Sequence, residues 1–127
     1  MPINLPGPFR SVPDNPDAVA DRVVEVCGPY LEAIQKKFRI RTVRGNLSRS
    51  GTSALLCNEP GGFVVILDHK AEPVLIPRYM AHEIGHTMFY DYRADHPRRT
   101  ALHPPSQSEE SFCNAFADAL LERCGNV

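Results

Sequence analysis

A chain of 127 residues is long enough for one domain with a modest core and too short for two of ordinary size. Its formal charge of −1 gives no whole-molecule basic field for nucleic acid, and no apolar run approaches the roughly 20 residues that cross a bilayer. The opening Met1-Pro-Ile-Asn-Leu-Pro-Gly-Pro has no basic segment followed by an apolar one, so no secretory signal is predicted.

Cys27, Cys57, Cys113 and Cys124 contain no C-x-x-C pair and read as reduced, mostly buried hydrophobes. These features together predict a cytoplasmic protein with no membrane contact and no direct nucleic-acid binding. Oligomeric state leaves no mark on the sequence.

Residues 1–15 hold four prolines and predict an extended arm, followed by a single domain over 16–127. Asn15 and Pro16 have the chemistry of an N-cap and a first helical residue. The helix they open is predicted to run to about Phe38, with Val19, Val23, Val26, Tyr30 and Ile34 as its apolar stripe and a kink or break at Gly28-Pro29. Ile40–Val43, Ser53–Cys57 and Gly62–Leu67 are strand candidates, the last two joined by a turn at Asn58-Glu59-Pro60-Gly61.

The next helix is predicted from Pro77 to about Asp91, and it carries His82-Glu83-Ile84-Gly85-His86, an HExxH sequence. Histidines four apart lie about 40° apart around a helix, so both imidazoles can reach one Zn²⁺ at about 2.0–2.1 Å. Glu83 falls beside the metal rather than on it, where a carboxylate can take a proton from a coordinated water, as a general base does. Ala81, Ile84 and Met88 form an apolar side roughly opposite the histidines. Gly85 is a poor helix former, and its presence predicts a close approach to the backbone.

A catalytic zinc has three protein ligands and an open position. Phe89 and Tyr92 stand where a nearby third histidine would fall, so that ligand must come from further along. Ser106-Gln107-Ser108-Glu109-Glu110 opens a last helix, predicted to end near Arg123. Ser106 and Glu109 have capping-box spacing, which assigns Glu109 to the N-cap amide and leaves Glu110 to bind metal. Asn114, one turn on, is placed to orient a ligand, and Phe112, Phe116, Ala119 and Leu120 make the apolar stripe. Glu109, Asp91 and Asp95 are the rivals to Glu110.

Two blocks, the approach Arg78-Tyr79-Met80-Ala81 into HEIGH and Glu110-Ser-Phe-Cys-Asn114-Ala-Phe116-Ala117-Asp-Ala-Leu120-Leu121, resemble the ImmA/IrrE family of zinc metallopeptidases. The resemblance implies His82, His86 and Glu110 as ligands of one zinc per chain, Glu83 as general base and Asn114 as a residue behind the ligands. It also implies a protein substrate, a DNA-binding transcriptional repressor cut in its linker. The family continues with Leu-Leu-Met-Pro where this chain reads Leu121-Glu122-Arg123. That departure motivates a second expectation, a zinc-holding regulatory module that sequesters a partner without cutting it.

The fold expected is α+β and zincin-like, a small antiparallel or mixed sheet packed on an N-terminal helix, the HExxH helix and the ligand helix. Gly62–Leu67 is taken as the sheet edge beside the metal, able to pair with an extended peptide; its uninterrupted apolar run equally fits a buried strand. The segment Tyr92–Pro105 is either a solvated connection or a cover for the cleft. His103, near the ligand helix, is the preferred oxyanion donor, with Tyr79 and Tyr90 as other choices.

Overall fold

The computed structural model describes residues 4–125, so positions 1–3 of the expected arm and 126–127 of the expected domain lie outside it. Asn15 caps helix α1 (Pro16–Cys27) through its side-chain oxygen, which accepts from the amide of Ala18 at 3.1 Å. The chain breaks at Gly28-Pro29 and restarts as α2 (Leu31–Lys37). That break corrects the single stripe expected over 16–38. Tyr30 becomes the extended N-cap residue of α2, bridged to Gly125 and 51% exposed, while Ala20 takes its place beside Val23 and Ile34 in the core.

Strands β1 (Ile40–Gly45), β2 (Ala54–Glu59) and β3 (Gly62–Asp68) form a mixed sheet in the order β1-β3-β2. β3 is antiparallel to β2, with Leu56 opposite Val65, and parallel to β1, with Thr42 opposite Val65. Phe63, Val65 and Leu67 point to the helical side and are buried there with Ile40. The expectation that Gly62–Leu67 is an edge is therefore wrong. It is the central strand, and its continuous apolar run reflects a neighbour on each side and Val64 also nearly covered.

A 3₁₀ turn (Pro73–Leu75) leads into α3 (Ile76–Thr87), which ends a turn earlier than its periodicity predicts. The reason is tertiary. The amide of Phe9, in the N-terminal arm, donates to the carbonyl of Met88 at 2.7 Å, and the chain turns into a short hairpin of β4 (Tyr90–Asp91) and β5 (Arg98–Arg99).

The arm is extended but not free. Leu5 is buried, the Tyr92 hydroxyl donates to the carbonyl of Pro6 at 2.8 Å, and the Phe9 ring meets Phe89 and Phe112 edge-on. The last helix, α4 (Gln107–Arg123), packs against α3 and α1 through Phe112, Phe116, Ala117 and Leu120. The result is an α+β fold of four α-helices and two small sheets among the described residues, in which no helix is long and apolar enough to cross a membrane.

Candidate metal centre

The site begins with a missing side chain. A Cβ on Gly85 would lie 3.0 Å from Sγ of Cys113 and 3.3 Å from the Phe116 ring, tighter than ordinary contact. Glycine there lets α4 lie against the backbone of α3, which brings Glu109, Glu110 and Asn114 up to the histidines. The apolar residues Ala81, Ile84 and Met88 on the other side of α3 are fully buried and fix its rotation.

Three donor groups converge as a result. Nε2 of His82 and Nε2 of His86 are 3.0 Å apart. The Glu110 carboxylate places one oxygen 2.6 Å from Nε2 of His86 and the other 3.7 Å from Nε2 of His82. Ligands on a tetrahedral zinc at about 2.05 Å stand about 3.3 Å from one another, a value these separations bracket. Two imidazoles and a carboxylate are also the donor set of open, catalytic zinc rather than of closed structural sites. The residues fit the ion.

Of the rivals for third ligand, Asp91 and Asp95 are exposed and do not join this group, and Glu109 faces the other nitrogen of His86. The structure thus corrects the role expected of Glu109. Its amide does donate to Oγ of Ser106, at 3.1 Å, completing the N-cap. Its carboxylate, however, turns inward, 1% exposed, and bonds Nδ1 of His86 at 2.7 Å. Arg99 in β5 clamps the same carboxylate with both guanidinium ends, at 2.8 and 2.7 Å. The Arg99 contact has no sequence signature, because β5 is two residues long and its register is set by pairing with Tyr90–Asp91.

A second group, His86, Glu109 and Cys113, also lies within metal-binding range. Its chemistry is poorer. Both Glu109 oxygens are already engaged, and burial pushes the Cys113 thiol far above its usual range, away from the thiolate a metal needs.

Glu83 is 7% exposed, and its pKa is raised to about 7, first by burial and then by the negative charge of Glu110, with His86 opposing. His82 is shifted down by burial and by the neighbouring His86, against the pull of Glu110 and of the hydrogen-bonding side chain of Asn114. Burial also acts to lower His86, but the hydrogen bond it donates to Glu109 and the surrounding carboxylates outweigh it and the net shift is upward.

These groups lie along a cleft of about 720 Å³ between α3 and β2. His82, Glu83, His86, Glu110 and Asn114 line one side, and Ala54, Leu55 and Leu56 of β2 the other. Tyr79, Tyr90 and His103, the three oxyanion-donor choices, all reach the cleft, with His103 exposed. The segment 92–105 is no plain solvated connection: it contributes Arg99, His103 and Pro105 to the cleft, and its β5 pairs with β4, which follows α3. The chain matches no protein-family model, no curated protein and no solved structure.

Proposed function

We propose that the protein is a zinc-dependent endopeptidase of zincin type that cuts an extended segment of a protein substrate. The observation that carries this reading is the convergence of His82 Nε2, His86 Nε2 and a Glu110 oxygen beside a buried Glu83, all at one cleft. His82, His86 and Glu110 would hold the ion, with Asn114 behind His82. When bound, zinc supplies Lewis acidity, bringing the pKa of a coordinated water towards about 7 and polarising a carbonyl.

The chain's own residues account for the rest. Glu83, whose pKa burial raises to about 7 in the metal-free protein, takes the proton of the attacking water and returns it to the leaving amine. Burial both raises that pKa and keeps bulk water from competing for the carboxylate. His103, from the rim of the cleft, donates to the developing oxyanion.

β2 positions the substrate. The amide of Asp68 donates to Ser53, so by alternation Ser53, Leu55 and Cys57 bond β3, while Ala54, Leu56 and Asn58 point outward. The Ala54 carbonyl accepts from the Thr52 hydroxyl at 2.9 Å, and the Asn58 side-chain amide donates to the carbonyl of Pro97 at 2.6 Å, which brings the 92–105 segment against that end of β2. The Leu56 amide and carbonyl, between these two positions, would pair with an extended peptide, which must therefore be a flexible segment and not a helix. The resemblance to the ImmA/IrrE blocks makes an interdomain linker of a transcriptional repressor the substrate to try first.

The test pairs wild type with Glu83→Gln, each incubated with zinc and with candidate repressors from the same genome. Wild type should bind a single Zn²⁺ and release discrete fragments. The variant should keep metal and fold but lose about 10²–10⁴-fold in rate, because an amide cannot accept the proton. Retained activity would remove Glu83 from the mechanism. Tight binding by both proteins with no cleavage would identify a sequestering module instead.

A further inference from the structure

We infer that Arg99 and Glu109 form a positioning pair that holds His86 in its metal-binding state, so that the β4–β5 hairpin governs how tightly the centre keeps its metal. The inference rests on the metal-centre reading above and extends it to two residues outside the ligand set. Its starting point is a carboxylate that is almost wholly buried yet fully partnered. Glu109 is 1% exposed, one oxygen receives Arg99 Nη2 at 2.7 Å, and the other is shared by Arg99 Nη1 at 2.8 Å and His86 Nδ1 at 2.7 Å.

A carboxylate only accepts, so the hydrogen of that last bond sits on Nδ1 of His86. In the neutral ring that binds metal, the lone pair is then on Nε2, the atom that faces His82 and Glu110. Glu109 thus selects the tautomer and fixes the ring plane, as carboxylates behind metal-bound histidines do. Arg99 decides whether Glu109 can do so. Without the guanidinium nothing fixes the two oxygens, and the carboxylate is free to turn away from Nδ1.

Arg99 is itself held from three sides. Its guanidinium lies 5.3 Å from the centre of the Tyr90 ring, the carbonyl of Leu102 accepts from Nη2, and its backbone is paired with Tyr90. The fork geometry of arginine matters because it occupies both carboxylate oxygens at once, which a lysine ammonium cannot reproduce. The segment joining the two metal-bearing helices is in this way tied to the metal site through a side chain, and not merely through its ends. A purely structural Arg99 would neutralise Glu109 and stabilise the fold without affecting the readiness of His86 to bind.

The discriminating measurement is zinc affinity, by competition against a chelator, for wild type, Arg99→Lys, Glu109→Gln and the double variant, beside the thermal unfolding of each metal-free protein. Arg99→Lys keeps the charge that the buried carboxylate needs, and Glu109→Gln keeps the shape, so each retains a folded state to measure. Each single change should weaken zinc by about 10–100-fold. The double change should lose no more than the worse single one, because the two residues act as a unit. Zinc affinity within twofold of wild type in both single variants, or losses that simply add, would overturn the positioning role, as would weakening explained entirely by lower metal-free stability. Failure of wild type to bind zinc at all would sink the metal-centre reading and this inference with it, an outcome distinct from tight wild-type binding that the variants leave unchanged.

Discussion

The two edges of the main sheet are built differently. β1 carries Arg41 and Arg44 on exposed positions, and Arg41 reaches across β3 to a bidentate pair with Glu59 at 2.7 Å. β2 presents Leu55, 42% exposed, with Ala54 and Leu56 along the cleft. Charged side chains on an edge discourage another strand from pairing there, whereas an apolar edge beside a cleft invites one. The exposed Arg41–Glu59 pair contributes little to stability, and what the β1 arginines add is chiefly the cost of desolvating them against an incoming strand. One sheet thus has a guarded edge and an open one, and the open one faces the candidate metal centre.

The largest effect that bears on this contrast is expected from the strand between the edges. The Phe63 amide donates to Arg39, just ahead of β1, and the His69 amide to Gly45 at its end, so by alternation the Val65 amide also bonds β1, and its side chain is fully buried. Val65→Pro should cost about 3 kcal/mol or more and unfold the protein in a thermal or denaturant melt. A folded variant with altered peptide affinity would return β3 to the substrate-binding role expected of it from sequence.

A smaller effect separates the edges themselves. Leu56→Pro removes an outward amide from β2, and a loss of about 0.5–1.5 kcal/mol in substrate binding corresponds to about a two- to tenfold rise in KM; because Leu56 also packs against the core, Tm should fall, but by less than in Val65→Pro. Thr42→Pro removes an outward amide from β1 and should leave KM unaltered. Equal effects of the two on peptide hydrolysis would break the distinction.

The smallest concerns the connection between the edges. Asp68, at the end of β3, accepts from the amide of Leu47 at 2.8 Å and of Lys70 at 3.1 Å. The Leu47 bond chiefly lowers its pKa against the opposing effect of burial, with the Lys70 bond helping. A carboxylate depressed in the folded state contributes stability above its unfolded pKa of about 3.9 and loses it as pH falls through the lower, folded value. Asp68→Asn should therefore lower Tm slightly at neutral pH, with the gap to wild type closing below pH of about 4. A gap that persists or widens in acid would show that Asp68 acts by some means other than its charge.

Much of this was legible from local chemistry. Asn15 and Ser106 are N-caps because their side-chain oxygens satisfy amides within three residues, and the HExxH spacing places two imidazoles together on any helix that forms. The α+β class, the three strands of the main sheet and the break at Gly28-Pro29 follow from periodicity and from residues that cannot continue a helix. Gly85 signalled a close approach, and its partner proved to be Cys113.

What depends on distant segments was not legible. Strand order is one case: Gly62–Leu67 is apolar whether central or at an edge, and only pairing with β1 on its far side makes it central. The end of α3 is another, because its periodicity continues to Asp91 while a hydrogen bond from Phe9, some 80 residues earlier, diverts the chain at Met88. Glu109 and Glu110 are adjacent and alike, yet one lies buried against Nδ1 of His86 and Arg99, and the other faces the two Nε2 atoms. Sequence by itself determined which residue types could hold a metal and on which helices they stand. Tertiary packing alone decided which oxygen met which nitrogen, because the roughly 100° turn between successive helical residues points neighbouring side chains in different directions until a second surface selects one.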